Sequence, residues 1–193
     1  MTSAKSVFSM PTPMKITGRS STITNAFASA IIPVLHPTDD EIHASLRLLG
    51  MSVGGVWCSY CGGPHTEWDH LRPTIKNKRP TGYISEIKNL VPACGKCNQS
   101  KGNKNWREWM LSDARLSPKT RNIKRLDQKI ANLAAYENQS GITNIDFEAL
   151  LGSSIWSQHW KNWEAVLGQM ENAQILADEI REELRRSFPS PET

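Results

Sequence analysis

Two Cys-x-x-Cys pairs, Cys58/Cys61 and Cys94/Cys97, constrain this chain most, because they require two distant turns to meet. A tetrahedral zinc ion takes four thiolates, and each such turn offers two sulfurs to one ion. The 32 residues between the pairs must therefore leave one knuckle and return to the other. Reduced core cysteines or redox thiols would explain a single pair. Two pairs, each beside glycine, favour zinc. Such an ion stabilises a small module short of apolar area and stays out of the chemistry.

The enclosed segment is strongly basic. Residues 72–107 hold nine Lys or Arg against Glu86 alone, so this stretch carries +8 and the remainder −4 of a net +4. A charge run is ordinarily a solvated face. Wrapped around a metal site, it points to a polyanion, with nucleic-acid phosphate first. Arg72, Lys76, Lys78, Arg79, Lys101 and Lys104 are the candidate contacts.

Inside the same segment lie Asp69-His70 and Asn89, and Asn98 follows the last cysteine. Phosphodiester hydrolysis needs an activated water, neutralised phosphate charge and a stabilised leaving oxygen. Asp69 and Asn98 carry hard oxygen ligands suited to Mg²⁺ or Mn²⁺. A neutral His70 can take a proton from water. Strand neighbours point to opposite faces, so Asp69 and His70 share one site only at a strand end.

Around this block the pattern is mostly helical. Residues 1–36 read as an arm with one short strand near Ala30-Ile31-Ile32. Thr38 followed by three acids opens a helix with Ile42, Leu46 and Leu49 on one stripe, ended by Gly50 and packed on the module. A strand or turn is expected at Trp57–Tyr60 and strands at 67–71 and 89–92, with an exposed basic loop over 72–83 and a helix after Cys94. A helix from Ser117-Pro118 carries Ile123, Leu126, Ile130 and Leu133, and a long final helix carries Trp156, Trp160 and Trp163 as packing residues. Trp106 and Trp109 are expected to anchor the module. Arg121, Lys124 and Arg125 form a solvated face or a phosphate-tracking one. His65 is a surface residue outside a zinc shell already complete. The domains expected are an arm and helix at 1–53, the metal module at 54–112 and a helical extension at 113–193 that dimerises or binds DNA. No run of about 18 apolar residues and no secretory signal is present, so a cytoplasmic protein is expected.

Cys58-x-x-Cys61, Asp69-His70, Asn89, Cys94-x-x-Cys97-Asn98 and Lys101 together resemble the HNH nuclease pattern, the zinc-supported form of the ββα-metal fold. The resemblance covers about residues 54–107. It implies an α+β fold: a zinc-bound ββα-metal (HNH) module flanked by helices, with a mostly helical C-terminal half. It implies that Cys58, Cys61, Cys94 and Cys97 hold structural Zn²⁺, and that His70 is the general base. Asp69 and Asn98 would hold the catalytic Mg²⁺ or Mn²⁺, and Asn89 would tie the loop between the strands. Many members with a helix histidine place another four residues later; Gly102 stands there, leaving two protein ligands.

The function expected is metal-dependent hydrolysis of double-stranded DNA leaving a 5′ phosphate, in a restriction or defence setting. Homing or phage-borne nucleases have the same core, and a zinc-dependent nucleic-acid-binding protein without cleavage is the other class. Symmetric double-strand cutting would suit a homodimer, with the tryptophan-bearing helix as an interface.

Overall fold

The computed structural model describes residues 7–188, and these fall into two compact units. The larger, residues 27–152, contains the cysteines and the basic segment. Its first full helix, α2 (Asp39–Leu48), follows the α1 helix (Ser20–Ala30). Thr38 and Glu41 form a reciprocal capping box at its start, satisfying two otherwise orphaned amides. Gly50, with φ of +70°, turns the chain away at its end.

The strands are short. β1 (Glu67–His70) pairs antiparallel with β4 (Leu90–Ala93), so that Asp69 stands opposite Val91 and His70 opposite Leu90. Between them a second hairpin, β2 (Ile75–Lys76) and β3 (Arg79–Pro80), turns through Asn77 and Lys78. Both turn residues are left-handed, at φ +51° and +65°, the type I′ geometry that fits strand twist. The chain returning through β4 enters α3 (Gly95–Lys101), giving strand, strand and helix around one site.

α4 (Trp106–Leu111) and α5 (Leu126–Gln139) complete the packing. Leu46, Leu49, Tyr60, Leu71, Val91, Trp106, Trp109, Ile130, Leu133 and Tyr136 form one buried cluster. Trp109 meets Tyr60 edge-on at 5.2 Å, a contact worth about 1 kcal/mol beyond burial. Tyr136 donates to the carbonyls of Ile87 and Leu90 at 2.5 and 3.0 Å, fastening α5 to the start of β4. Trp106 and Trp109 are each 1% exposed and anchor the module as expected. α2 packs on α5 and on the turn before β4, with Leu46 and Leu49 in the shared core.

In the smaller unit, α7 (Ser153–Ser187) follows α6 (Phe147–Leu151) of the larger one. A 3-10 turn, Ile16–Arg19, packs against α7, and the Ile16 amide donates to Gln174 at 2.6 Å. Trp163 donates to the Thr24 hydroxyl at 3.0 Å, and Trp160 lies edge-on to Trp156 and Trp163.

Four expectations change or narrow. Residues 20–30 are helix rather than the run-up to a strand, because Ile23, Thr24, Phe27 and Ala28 repeat at helical spacing on the less exposed side. Past that helix, Val34 forms only an isolated parallel bridge with Ser85. The strand or turn expected at Trp57–Tyr60 is a turn, with a bridge from Trp57 to Pro64. The helix expected from Pro118 begins at Leu126, since Asn122 and Arg125 are left-handed and Ser117 caps a turn instead. Finally, the loop over 72–83 contains the β2–β3 hairpin.

Candidate active site

The four cysteines converge. Their sulfurs all lie within 4.8 Å of one another, and Cys61 Sγ stands 3.8 Å from Cys94 Sγ. Thiolates bound tetrahedrally about 2.3 Å from one ion are ~3.8 Å apart, and a disulfide needs close to 2 Å. The donor set and spacing therefore fit zinc. Gly62, at φ +78°, closes the first knuckle, with its amide donating to the Cys58 carbonyl at 2.7 Å. In the second, the Cys97 and Asn98 amides both donate to the Cys94 carbonyl at 3.0 Å as α3 begins. Arg121 Nη1 donates to Cys97 Sγ at 3.2 Å. A zinc ion held by four thiolates would carry net negative charge, which the Arg121 guanidinium is placed to offset. His65 is exposed, with Nδ1 3.1 Å from the Val56 carbonyl, and is not among the clustered sulfur ligands.

Asp69, His70 and Asn98 line one cleft of about 230 Å³, with Pro73, Thr74, Ile75, Gly102 and Asn103. His70 is the last residue of β1, which meets the strand-end condition. Asp69 is 5% exposed. Tyr60 donates to its Oδ2 at 2.6 Å, and Lys101 Nζ stands 3.1 Å from the same oxygen and 3.3 Å from Oδ1. Burial pushes the Asp69 carboxyl up, opposed by the Lys101 charge and the Tyr60 hydroxyl. Burial pushes Lys101 down, opposed by Asp69. The contacts to Tyr60 and Lys101 favour the ionised form of Asp69 against that burial. Tyr60 is pushed well up by burial and by Asp69, so its hydroxyl stays a donor.

His70 places Nε2 2.5 Å from Ser85 Oγ. Burial, then the Lys101 charge, lowers its pKa, which favours the neutral imidazole a base requires. Asn98 reaches the cleft from α3 and donates through Nδ2 to Glu67 Oε2 at 2.7 Å. Asn89 is fully buried. Its Oδ1 accepts from the Arg72 amide, and its Nδ2 donates to the carbonyls of Arg72 and Ile84 at 3.0 and 3.2 Å. These bonds hold both ends of the 72–84 segment, and Asn89 stays off the cleft wall. Oxygens of Asp69 and Asn98 suit a hard divalent ion.

The basic residues separate. Lys76 and Lys78 are exposed on the hairpin, and Arg79 is half-buried beside them. Lys76 and Lys104 line a groove of about 530 Å³ that meets the cleft at Asn103. Arg72 pairs with Glu137, which also accepts from Trp106. Lys101 does not take the phosphate contact expected of it. It is 0% exposed, with Nζ bound to Asp69 and to the carbonyls of His70 and Gly102. Its position on α3 turns it inward beneath the strand.

Tyr60, Glu67, Ser85 and Arg121 complete the site without having been singled out for these contacts. Glu67 had a signal: it precedes Asp69 by two residues and so shares its strand face. Ser85 had none. Its backbone is gripped by the segment before α2, donating to the Pro33 carbonyl and accepting from the Leu35 amide, a pairing across 50 residues.

Residues 58–104 match the family model described as HNH endonuclease. The chain is 26% identical over 141 residues to a CRISPR-associated endonuclease Cas9 from Corynebacterium diphtheriae, an alignment covering 69% of this chain. The match spans 12% of that relative's length. No solved structure matches. Four clustered thiols, the paired β1–β4 strands and the helix carrying Asn98 thus coincide with the matched span, and over residues 58–104 the chain carries an HNH endonuclease domain.

Proposed function

We propose that this protein is a metal-dependent endonuclease that hydrolyses phosphodiester bonds of double-stranded DNA, in a restriction or defence setting. The observation that carries the reading is the meeting of Asp69, His70 and Asn98 in one cleft that adjoins a groove lined by Lys76 and Lys104. Asp69 and Asn98 would hold Mg²⁺ or Mn²⁺, and that ion would neutralise phosphate charge and stabilise the departing oxygen. His70, kept neutral by burial, accepts the proton of the attacking water. Lys101 and Tyr60 hold Asp69 from below, and Asn89 holds the loop that forms the cleft wall. Lys76, Lys78, Arg79 and Lys104 neutralise the backbone on either side of the cut.

Residues 54–112 supply the cutting module, and 113–193 an extension for DNA contact or pairing of two copies. Leu176, Ile180 and Leu184 recur every four residues on α7 and are 57%, 52% and 57% exposed, which supplies an apolar face for a homodimer. Supercoiled plasmids of varied sequence provide the test. With Mg²⁺ or Mn²⁺ the protein should nick or linearise them, and His70→Ala should bind DNA without cutting. Intact plasmids across a large sequence set in both metals refute the reading in favour of a binding protein.

A further inference from the structure

Glu67 belongs to neither the zinc cluster nor the set that lines the cleft, yet its contacts govern a residue that does. Strand alternation places it on the Asp69 face of β1, across from the start of α3. Its Oε2 accepts from Asn98 Nδ2 at 2.7 Å. Gly95 leaves room for the other oxygen, since a Cβ there would stand 3.0 Å from Glu67 Oε1.

The chemistry of the pair has one solution. A carboxylate only accepts hydrogen bonds, whereas an amide accepts at one end and donates at the other. Asn98 must therefore turn Nδ2 toward Glu67, which leaves Oδ1 as the end free for the cleft that Asn98 lines. A flipped amide would offer the cleft N–H donors, which bind no cation. We propose that Glu67 is a positioning residue that locks the Asn98 amide with its oxygen presented to the divalent ion. The inference rests on the proposed role of Asn98 as a ligand. Side chains that orient metal ligands in this way change affinity by about 10–100-fold when removed.

The test uses the full chain with its zinc retained. Mn²⁺ binding is titrated by electron paramagnetic resonance, and the Asn98 side-chain amide is followed by ¹⁵N NMR before Mn²⁺ is added, assigned by its loss in Asn98→Asp. Glu67→Gln keeps an acceptor oxygen and should hold Mn²⁺ within about threefold of wild type, whereas Glu67→Ala should weaken it about 10–100-fold. The Asn98 amide signals should stay in place in Glu67→Gln and shift in Glu67→Ala. A Glu67→Ala variant that binds Mn²⁺ like wild type overturns the proposal. So does a Glu67→Gln variant as weak as Glu67→Ala, which would make Glu67 a ligand through its own charge. Wild type that fails to take up Mn²⁺ removes the ligand reading of Asn98, and the inference with it. An unshifted amide in Glu67→Ala with wild-type Mn²⁺ binding intact removes the inference alone.

Discussion

Replacing Lys101 by Met tests the electrostatics beneath the cleft. Met keeps most of the apolar stem, so little cavity forms, and the change is chiefly the loss of the ammonium. Asp69, 5% exposed, is left with the Tyr60 hydroxyl as its remaining polar contact. The carbonyls of His70 and Gly102 lose their donor at 2.7 and 3.2 Å. Breaking one partner of a buried ion pair costs about 3–5 kcal/mol. With a urea m-value near 2 kcal/mol/M, the midpoint should fall by about 1.5–2.5 M at pH 7.5, with m unchanged. Tryptophan fluorescence reports it, since Trp106 and Trp109 lie in the same core. The loss should shrink on acidification. Without Lys101 the folded-state pKa of Asp69 rises further above its unfolded value, so the variant gains protons on folding, and stability lost at neutral pH returns as pH falls toward the unfolded carboxyl value. Mn²⁺ or Mg²⁺ should also restore part of it by binding the native state alone. A variant within 1 kcal/mol of wild type at pH 7.5, insensitive to pH and metal, refutes the argument that Asp69 is a buried, ionised carboxylate.

Other perturbations isolate other parts. Asn89→Ala removes three hydrogen bonds from a fully buried side chain and should cost about 2–4 kcal/mol in the same urea assay; a loss under 0.5 kcal/mol would show that the 72–84 segment needs no tie. Metal analysis should find one zinc per chain, and Arg121→Ala, which removes the donor to Cys97, should speed zinc transfer to a chromogenic chelator; equal rates would free Arg121 of that role. Because burial and then Lys101 lower the pKa of His70, the acid limb of cleavage should lie below about 6.5. The matching contribution to stability is complete above about 6.5 and lost as pH falls through the folded value. An acid limb above 6.5 in a pH–rate profile would contradict a buried His70.

The cysteine cluster was legible because metal sites restrict residue type and spacing at once, and four thiols in two turns suit a single zinc ion. Asp69, His70 and Asn98 were legible as chemistry and needed only the strand end to bring them together. Helix boundaries were legible where a cap signalled them, as at Thr38 and Gly50. They were not where left-handed Asn122 and Arg125 delayed a helix whose apolar spacing began earlier.

Lys101 shows why depth was harder to read. A lysine in a basic run near a candidate nuclease site reads as a surface contact, because desolvating an ammonium costs several kcal/mol. That cost is offset only by partners the sequence does not place: Asp69 from β1 and two carbonyls that converge when α3 packs beneath the strand. Ser85 is the same problem with the sign reversed, a bland residue whose contact to His70 depends on backbone pairing with Pro33 and Leu35. Residue type and spacing therefore mark the groups that meet in the candidate cleft. The groups that orient them are set by long-range packing, where the side chains with the largest leverage on the chemistry are the least marked in the chain.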